Sequence, residues 1–182
     1  MTLVAPALTL RAATPADISA LEALIAGSAR TLGSGYYDSA QIEAAIAYVF
    51  GVDSELVADG SYFVAEWEGA LAGCGGWSRR ATLFGGDCFA RRSSALLDPA
   101  TEAARIRAFF VAGDQARRGV GRALLEACEA AAVAAGFRCT TLMATLPGEP
   151  FYAAHGYRTT TKHTQMCGTV EVPFVAMTKS LL

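Results

Sequence analysis

The sequence predicts a mixed α/β fold, a β-sheet with helices packed on its faces, and three observations predict it. Seven short runs are alternating or continuously apolar at strand length. Other stretches repeat their apolar residues at helical spacing. The two kinds follow one another without a linker, an internal repeat or a charge block. In chain order they read β-α-α-β-β-β-α-β-α-β-β. In 182 residues, 53% of them hydrophobic and 18% charged, this is one domain over 1–182 with a large apolar core.

Leu8 to Ala12 alternate as a first strand. Thr14-Pro15-Ala16-Asp17 then opens a helix, with Thr14 as N-cap, Pro15 at N1 and Asp17 at N3, and Ile18, Leu21, Leu24 and Ile25 share its apolar face. After the Gly33-to-Tyr37 loop a second helix starts near Asp38 or Ser39, with Ile42, Ile46 and Val49 as its stripe. Tyr62 to Trp67 and Ala70 to Cys74 flank Glu68-Gly69, a two-residue hairpin turn. Residues from about Arg79 to Ala104 are irregular, rich in Gly, Arg and Ser, and long enough to form a functional loop. Ile106 to Val111 is a strand, Gly119 to Ala135 a helix closed by Gly136, and Cys139 to Ala144 a strand. A short helix over Pro150 to His155 ends at Gly156. Strands around Arg158 to Gln165 and Val172 to Lys179 finish the chain.

Composition excludes several classes. A net charge of −2 argues against a general nucleic-acid binder. No apolar run reaches the roughly 18 to 20 residues of a membrane span, and Met1-Thr2-Leu3-Val4-Ala5-Pro6 lacks a basic n-region, so the expectation is a soluble cytoplasmic domain. The five cysteines (Cys74, Cys88, Cys128, Cys139 and Cys167) form no C-x-x-C pair, and most of them read as reduced, packed thiols. With only His155 and His163 beside them, a metal site is not expected.

The chemistry lies in one segment. Phe109-Phe110-Val111 and four loop residues lead to Ala116-Arg117-Arg118-Gly119-Val120-Gly121-Arg122, which runs into a helix. Such a turn gathers free N–H groups at the positive end of a helix dipole, and Gly119 and Gly121 let an anion approach the backbone. Arg117, Arg118 and Arg122 add positive charge. Leu124 stands where a Rossmann fingerprint has its third glycine, and there is no G-K-[ST] of a P-loop. Taken alone, the turn fits either a pyrophosphate cradle or a glycine loop with surface arginines before a core helix.

The segment resembles the coenzyme A signature of the GCN5-related N-acetyltransferase (GNAT) superfamily, [QR]-x-x-G-x-[GA]. Arg117-Arg118-Gly119-Val120-Gly121 match, and Ala116 stands where the family usually has Gln or Arg. Pro150-Phe151-Tyr152-Ala153-Ala154-His155-Gly156-Tyr157 is similar to the family's F-Y-x-x-x-G-[FY] helix, and the element order agrees from Leu8 to Leu182. The resemblance implies a seven-stranded, mostly antiparallel sheet with helices on both faces, and acetyl-CoA as co-substrate. The cofactor would lie against Phe110, Val111, Arg117, Arg118, Gly119, Val120, Gly121 and Arg122, with the pantetheine between strands four and five, which splay at a bulge. Tyr152 would protonate the departing thiolate.

The family often places a glutamate on the fourth strand as base. Here Arg105-Ile106-Arg107-Ala108-Phe109-Phe110 holds none, and no base is named. Asp38, Glu43, Glu66, Asp87, Glu102 and His163 are candidates, each with an ordinary surface or structural role as the alternative. A weakly basic amine, or a base relayed by water, then fits better than an ordinary lysine near pKa 10.4. Tyr36-Tyr37 and the Arg79-to-Ala104 loop should border the acceptor. Arg79, Arg80, Arg91, Arg92, Phe84 and Phe89 would suit an acidic or aromatic one, and equally a solvated loop. The expected partner is a small-molecule or peptide amine, with neither nucleic acid nor membrane, and a homodimer is left open. The alternatives are a non-catalytic acyl-CoA-binding or sensor module on this fold, and an interaction domain without ligand.

Overall fold

The computed structural model describes residues 8–182, so the reading of Met1 to Pro6 lies outside the described residues. β1 (Leu8–Ala12) pairs antiparallel with β2 (Tyr62–Trp67), Leu8 opposite Trp67 and Ala12 opposite Phe63. Between them run α1 (Ile18–Gly33), α2 (Ser39–Tyr48) and α3 (Ser54–Ala58). A 3-10 turn, Pro15–Asp17, leads into α1, and the Thr14 N–H donates to the Asp17 carboxylate at 2.7 Å. At α2 the box is reciprocal: Gln41 N–H donates to Asp38 at 2.8 Å, and Asp38 N–H donates to Gln41 Oε1 at 3.1 Å. α3 was not expected from the sequence, because five residues are too few to show a helical period.

β2 turns into β3 (Ala70–Ser78) through Glu68 (φ 52°) and Gly69 (φ 80°), the left-handed pair that a two-residue hairpin needs. Then follow β4 (Ala104–Val111), α4 (Val120–Ala134), β5 (Cys139–Thr145), α5 (Glu149–Ala154), β6 (Arg158–Cys167) and β7 (Val170–Ser180). The strands form one seven-stranded sheet in the order β1-β2-β3-β4-β5-β7-β6, antiparallel except for β4 beside β5.

Alternation along the strands sorts two layers. Val64 and Cys74 pack with Leu21 and Ile25 of α1 and Leu56 of α3, while Ala65 and Ala72 face Val120 and Leu124 of α4 on the opposite side. Leu125 and Cys128 of α4 continue that second layer with Leu142, Val175 and Tyr152 of α5. α2 lies over the far end of the first layer, where Ile42 and Ala45 meet Val172 and Phe174 of β7.

One irregularity shapes the site. Between β3 and β4 the register slips from Cys74 opposite Phe110 to Gly76 opposite Arg107, which leaves one extra residue in β4. Ala108 absorbs it at φ 53°, a left-handed conformation that costs an L-residue about 1–2 kcal/mol. The buried Tyr62 hydroxyl holds the distortion by donating to the Ala108 carbonyl at 2.9 Å. Phe109 can lie across β3 only because residue 75 is glycine, since a Cβ there would sit 2.6 Å from the Phe109 ring. Past the bulge β4 and β5 part company. They pair only at Ala104–Thr140 and Arg105–Thr141, although both strands run further.

Candidate active site

The parted strands open into a cavity of about 830 Å³, near the top of the range for small-ligand sites. It is lined by β4 from Ile106 to Val111, by Met143, Ala144 and Thr145 of β5, by the turn before α4, by α5, and by residues from α1, α2 and the Phe84-Gly85-Gly86 segment.

One end is made of backbone. Arg117 has φ 64° and Gly119, the N-cap of α4, has φ 85°, so the chain curls through two left-handed residues into the helix. This is a nest geometry, with N–H groups converging on one concavity. The N–H groups of Gly119, Val120, Gly121 and Arg122 donate to no acceptor among the described residues; the first bond of the turn is Ala123 N–H to Gly119 O at 3.0 Å. Around Gly119 a Cβ would meet nothing within 4 Å, so the space in front of the nest is open. The arrangement fits a pyrophosphate. Arg117 and Arg122 line the cavity, Arg122 while exposed and paired with Glu126 at 2.8 Å. Arg118 does not: its guanidinium lies 5.6 Å from the centre of the Trp67 ring, so this residue brings only its backbone to the turn. Phe110 and Val111 lie on the wall, on a strand whose β5-facing edge has no strand partner beyond Arg105.

Tyr152 sits between the two ends, among Phe109, Phe151 and Tyr157, with ring centroids 5.1 to 6.3 Å away. Its side chain lines the cavity, and its hydroxyl bonds to no protein group among the described residues. Burial pushes this phenol well above its ordinary range, so it remains a proton donor across neutral pH. His155, which the sequence reading did not place here, also lines the cavity. It stacks 4.5 Å from Phe151, whose ring lies 3.3 Å from where a Gly121 Cβ would stand, and so belongs to the cradle end.

The other end is made of side chains: Tyr36, Tyr37, Phe50, Phe84, Phe110 and Phe174. Their rings touch in series, Phe110–Phe50 at 5.3 Å, Phe50–Phe174 at 6.1 Å and Phe174–Phe84 at 6.0 Å. The Tyr37 hydroxyl donates to Pro173 O at 2.8 Å and accepts from Leu146 N–H at 2.9 Å, and its burial raises the pKa to about 12.

The 79–104 loop reaches this end in an unexpected way. It folds on itself, with Ala81 N–H donating to Ala95 O and Leu97 N–H to Arg79 O. Its arginines avoid the cavity: Arg80 pairs with Asp59 at 2.7 Å, Arg92 with Asp53 at 2.6 Å and Asp87 at 2.9 Å, and Arg79 and Arg91 are exposed away from the lining. Phe84 alone of the six expected residues enters the cavity, with Phe89 buried behind it at 4.7 Å. The loop is tied down by Arg107 of β4, 3% exposed, which bonds to fully buried Asp53 at 2.6 Å and to the carbonyls of Thr82 and Gly85. Nothing in the sequence signals a contact between residues 54 positions apart.

No Asp or Glu lines the cavity. Asp38 caps α2, Glu43 binds Arg30, Glu66 binds Arg11, Asp87 binds Arg92, and Glu102 accepts from the Asp98 N–H. His163 lies behind Phe84, edge to face at 5.7 Å, with a buried Nε2 that has no partner among the described residues. Among the described residues no group of three or more His, Cys, Asp or Glu is placed to hold a metal, and no helix is long and apolar enough to cross a membrane.

The same fold occurs in solved acetyltransferase structures. A GCN5-related N-acetyltransferase from Rhodopseudomonas palustris superposes with a TM-score of 0.71 at 24% identity, over 99% of this chain and 98% of that one. The PaiA N-acetyltransferase of Thermoplasma acidophilum, in complex with coenzyme A, gives 0.65 at 14% identity over 96% and 99%. The ribosomal-protein-S18-alanine N-acetyltransferase of Escherichia coli gives 0.60 at 14% identity over 96% and 94%. No curated protein matches the sequence. The family model described as an acetyltransferase (GNAT) domain matches residues 58–159, more than half of the 182 residues, and the chain belongs to that family.

Proposed function

We propose that the chain, one domain over residues 1–182, is a cytoplasmic acetyl-CoA-dependent N-acetyltransferase. It moves the acetyl group to a primary amine of a small molecule or peptide by direct attack in a ternary complex. The observation that carries this reading is a single cavity into which both the nest of free N–H groups and the aromatic chamber open, with Tyr152 on its wall.

The thioester supplies an acetyl group on a thiol of pKa about 8.5, already a fair leaving group. The N–H groups of Gly119, Val120, Gly121 and Arg122, the backbone of Arg118 and the side chains of Arg117 and Arg122 hold the pyrophosphate. Backbone groups of Phe110 and Val111 hold the pantetheine amides and donate to the carbonyl oxygen as it gains charge; one such donor is worth about 2.7–4 kcal/mol elsewhere. Tyr152 gives its hydroxyl proton to sulfur. The C–N bond forms as the C–S bond breaks, and the amine's surplus proton passes to water, from which the phenol is restored. Ala116 supports a cradle that relies on backbone more than on a first-position side chain.

The absence of a lining carboxylate supports a second reading, a non-catalytic acyl-CoA-binding or sensor module. Native mass spectrometry with coenzyme A, followed by thiol release from acetyl-CoA across a panel of amines, separates them. An adduct with release is the expected result. An adduct with no release from any amine selects the second reading, and no adduct removes both. Tyr152→Phe should lower kcat about 100-fold, at the low end for general acid catalysis, with affinity for acetyl-CoA and melting temperature little changed. An unchanged kcat takes Tyr152 out of the mechanism.

A further inference from the structure

We infer that the acceptor is an apolar, aromatic-sized amine that enters uncharged, and that the site discriminates against both polycationic and acidic amines. The inference rests on the acetyltransferase reading and assigns the substrate class of its acceptor end.

Four observations converge. The chamber beyond Tyr152 is walled by Tyr36, Tyr37, Phe50, Phe84, Phe110 and Phe174, a surface that takes an apolar body. The Tyr37 hydroxyl is consumed by Pro173 O and Leu146 N–H, so it shows the ligand a ring and no polar handle. No carboxylate lines the cavity, so an ammonium group entering it would lose its water and gain no counter-charge. In the bordering loop Arg80 and Arg92 are spent on Asp59, Asp53 and Asp87, and exposed Arg79 and Arg91 do not line the cavity, so an acidic acceptor finds no partner there either.

Protonation completes the argument. Tyr152 is held as a phenol by burial, and no other lining group at this end accepts a proton, so the amine must arrive with its lone pair free. An amine of the lysine type, near pKa 10.4, is neutral in about one molecule per thousand near pH 7.4, whereas an α-amine near 7.7–8.0 is neutral in roughly a quarter. The second kind reaches the chamber uncharged without help from the protein.

Four probes read this directly: phenylalaninamide (apolar, weakly basic), 2-phenylethylamine (apolar, strongly basic), aspartic acid α-amide (acidic) and 1,5-diaminopentane (polycationic). With acetyl-CoA saturating at pH 7.4, kcat/KM for phenylalaninamide should exceed those for diaminopentane and the aspartic amide by about 100-fold or more. For 2-phenylethylamine kcat/KM should rise about tenfold per pH unit between 7 and 9, following its neutral fraction. Tyr36→Glu, at a half-exposed rim position, should raise the diaminopentane to phenylalaninamide ratio about fivefold. Preference for diaminopentane or the aspartic amide, or a pH-flat rate with 2-phenylethylamine, overturns the inference and leaves the acetyltransferase reading standing. If no probe turns over, calorimetric titration of the coenzyme A-saturated protein with phenylalaninamide decides: absence of binding overturns the inference. Failure to bind coenzyme A at all is read separately by native mass spectrometry, and it removes both.

Discussion

The two ends of the cavity are built on opposite principles. The cradle end centres on seven consecutive residues, Ala116 to Arg122, whose function lies in backbone N–H groups and dihedral angles. The acceptor end is assembled from the loop after α1, the segment after α2, the 79–104 loop, β4 and β7, and its function lies in side chains held by distant contacts. A local device survives most substitutions that keep its dihedrals, whereas an assembled one depends on the anchors behind it. The substitutions below separate the two.

The largest effect should come from Asp53→Asn. It leaves buried Arg107 without its counter-charge, and breaking such a pair costs about 3–5 kcal/mol, a large part of the 5–15 kcal/mol that holds a domain folded. Urea unfolding gives the loss. Where enough folded protein remains, the KM for the acceptor should rise while the coenzyme A dissociation constant stays put. An equal rise in both would show that the ends are coupled.

Gly119→Val is the converse. The residue needs φ 85°, which a β-branched side chain resists, yet no neighbour crowds it. Coenzyme A affinity should fall about tenfold or more, with the acceptor KM unchanged at saturating cofactor. Gly119→Asn, which tolerates the left-handed region, should recover most of the loss. Equal affinity in the valine variant would show that the nest does not bind the phosphates.

A smaller effect is expected at Asp59, whose carboxyl Arg80 holds below the usual range. A carboxylate with a lowered native pKa stabilises the fold above its unfolded value and loses that contribution as pH falls through the native one. The melting temperature of Asp59→Asn should therefore lie a few degrees or less below wild type at pH 6, and the gap should close on acidification below about pH 4. A gap that does not narrow at all as the pH falls below 4 assigns the difference to packing. The smallest change should follow Arg122→Ala: about a threefold loss of coenzyme A affinity, vanishing in high salt, because the guanidinium is exposed and already shared with Glu126.

The contrast also explains what the sequence disclosed. The hairpin turn at Glu68-Gly69, the helix starts at Thr14 and Asp38, and the α4 turn are set by neighbours in the chain, and each was legible. The bulge was implied only by the family resemblance, and its place at Ala108 was not legible, because nothing about alanine announces a left-handed residue; what enforces it is the Tyr62 hydroxyl, 46 positions away. The Asp53–Arg107 pair and α3 were hidden for the same reason of distance or brevity. The arginine-rich loop shows the limit of composition. It suits an acidic or aromatic acceptor and equally a solvated loop, and only the folded contacts sort these: Arg80 and Arg92 face carboxylates of the loop itself or of α3's surroundings, and Phe84 faces the cavity.

The two-rung junction between β4 and β5 has a consequence for how the chain assembles and yields. Strands β1 to β4 pair in sequence order as one antiparallel block, and β5, β7 and β6 as another. Each block holds one local hairpin, β2–β3 in the first and β6–β7 in the second, which forms early because little loop entropy opposes it, and the longer-range pairings of β1, β4 and β5 build on it. The ligand slot is therefore also the seam between two cooperative units. Amides flanking it should exchange by opening of the seam at a free energy below that of global unfolding, and whatever occupies the slot spans both blocks and fastens them, raising the protection of that seam above all else.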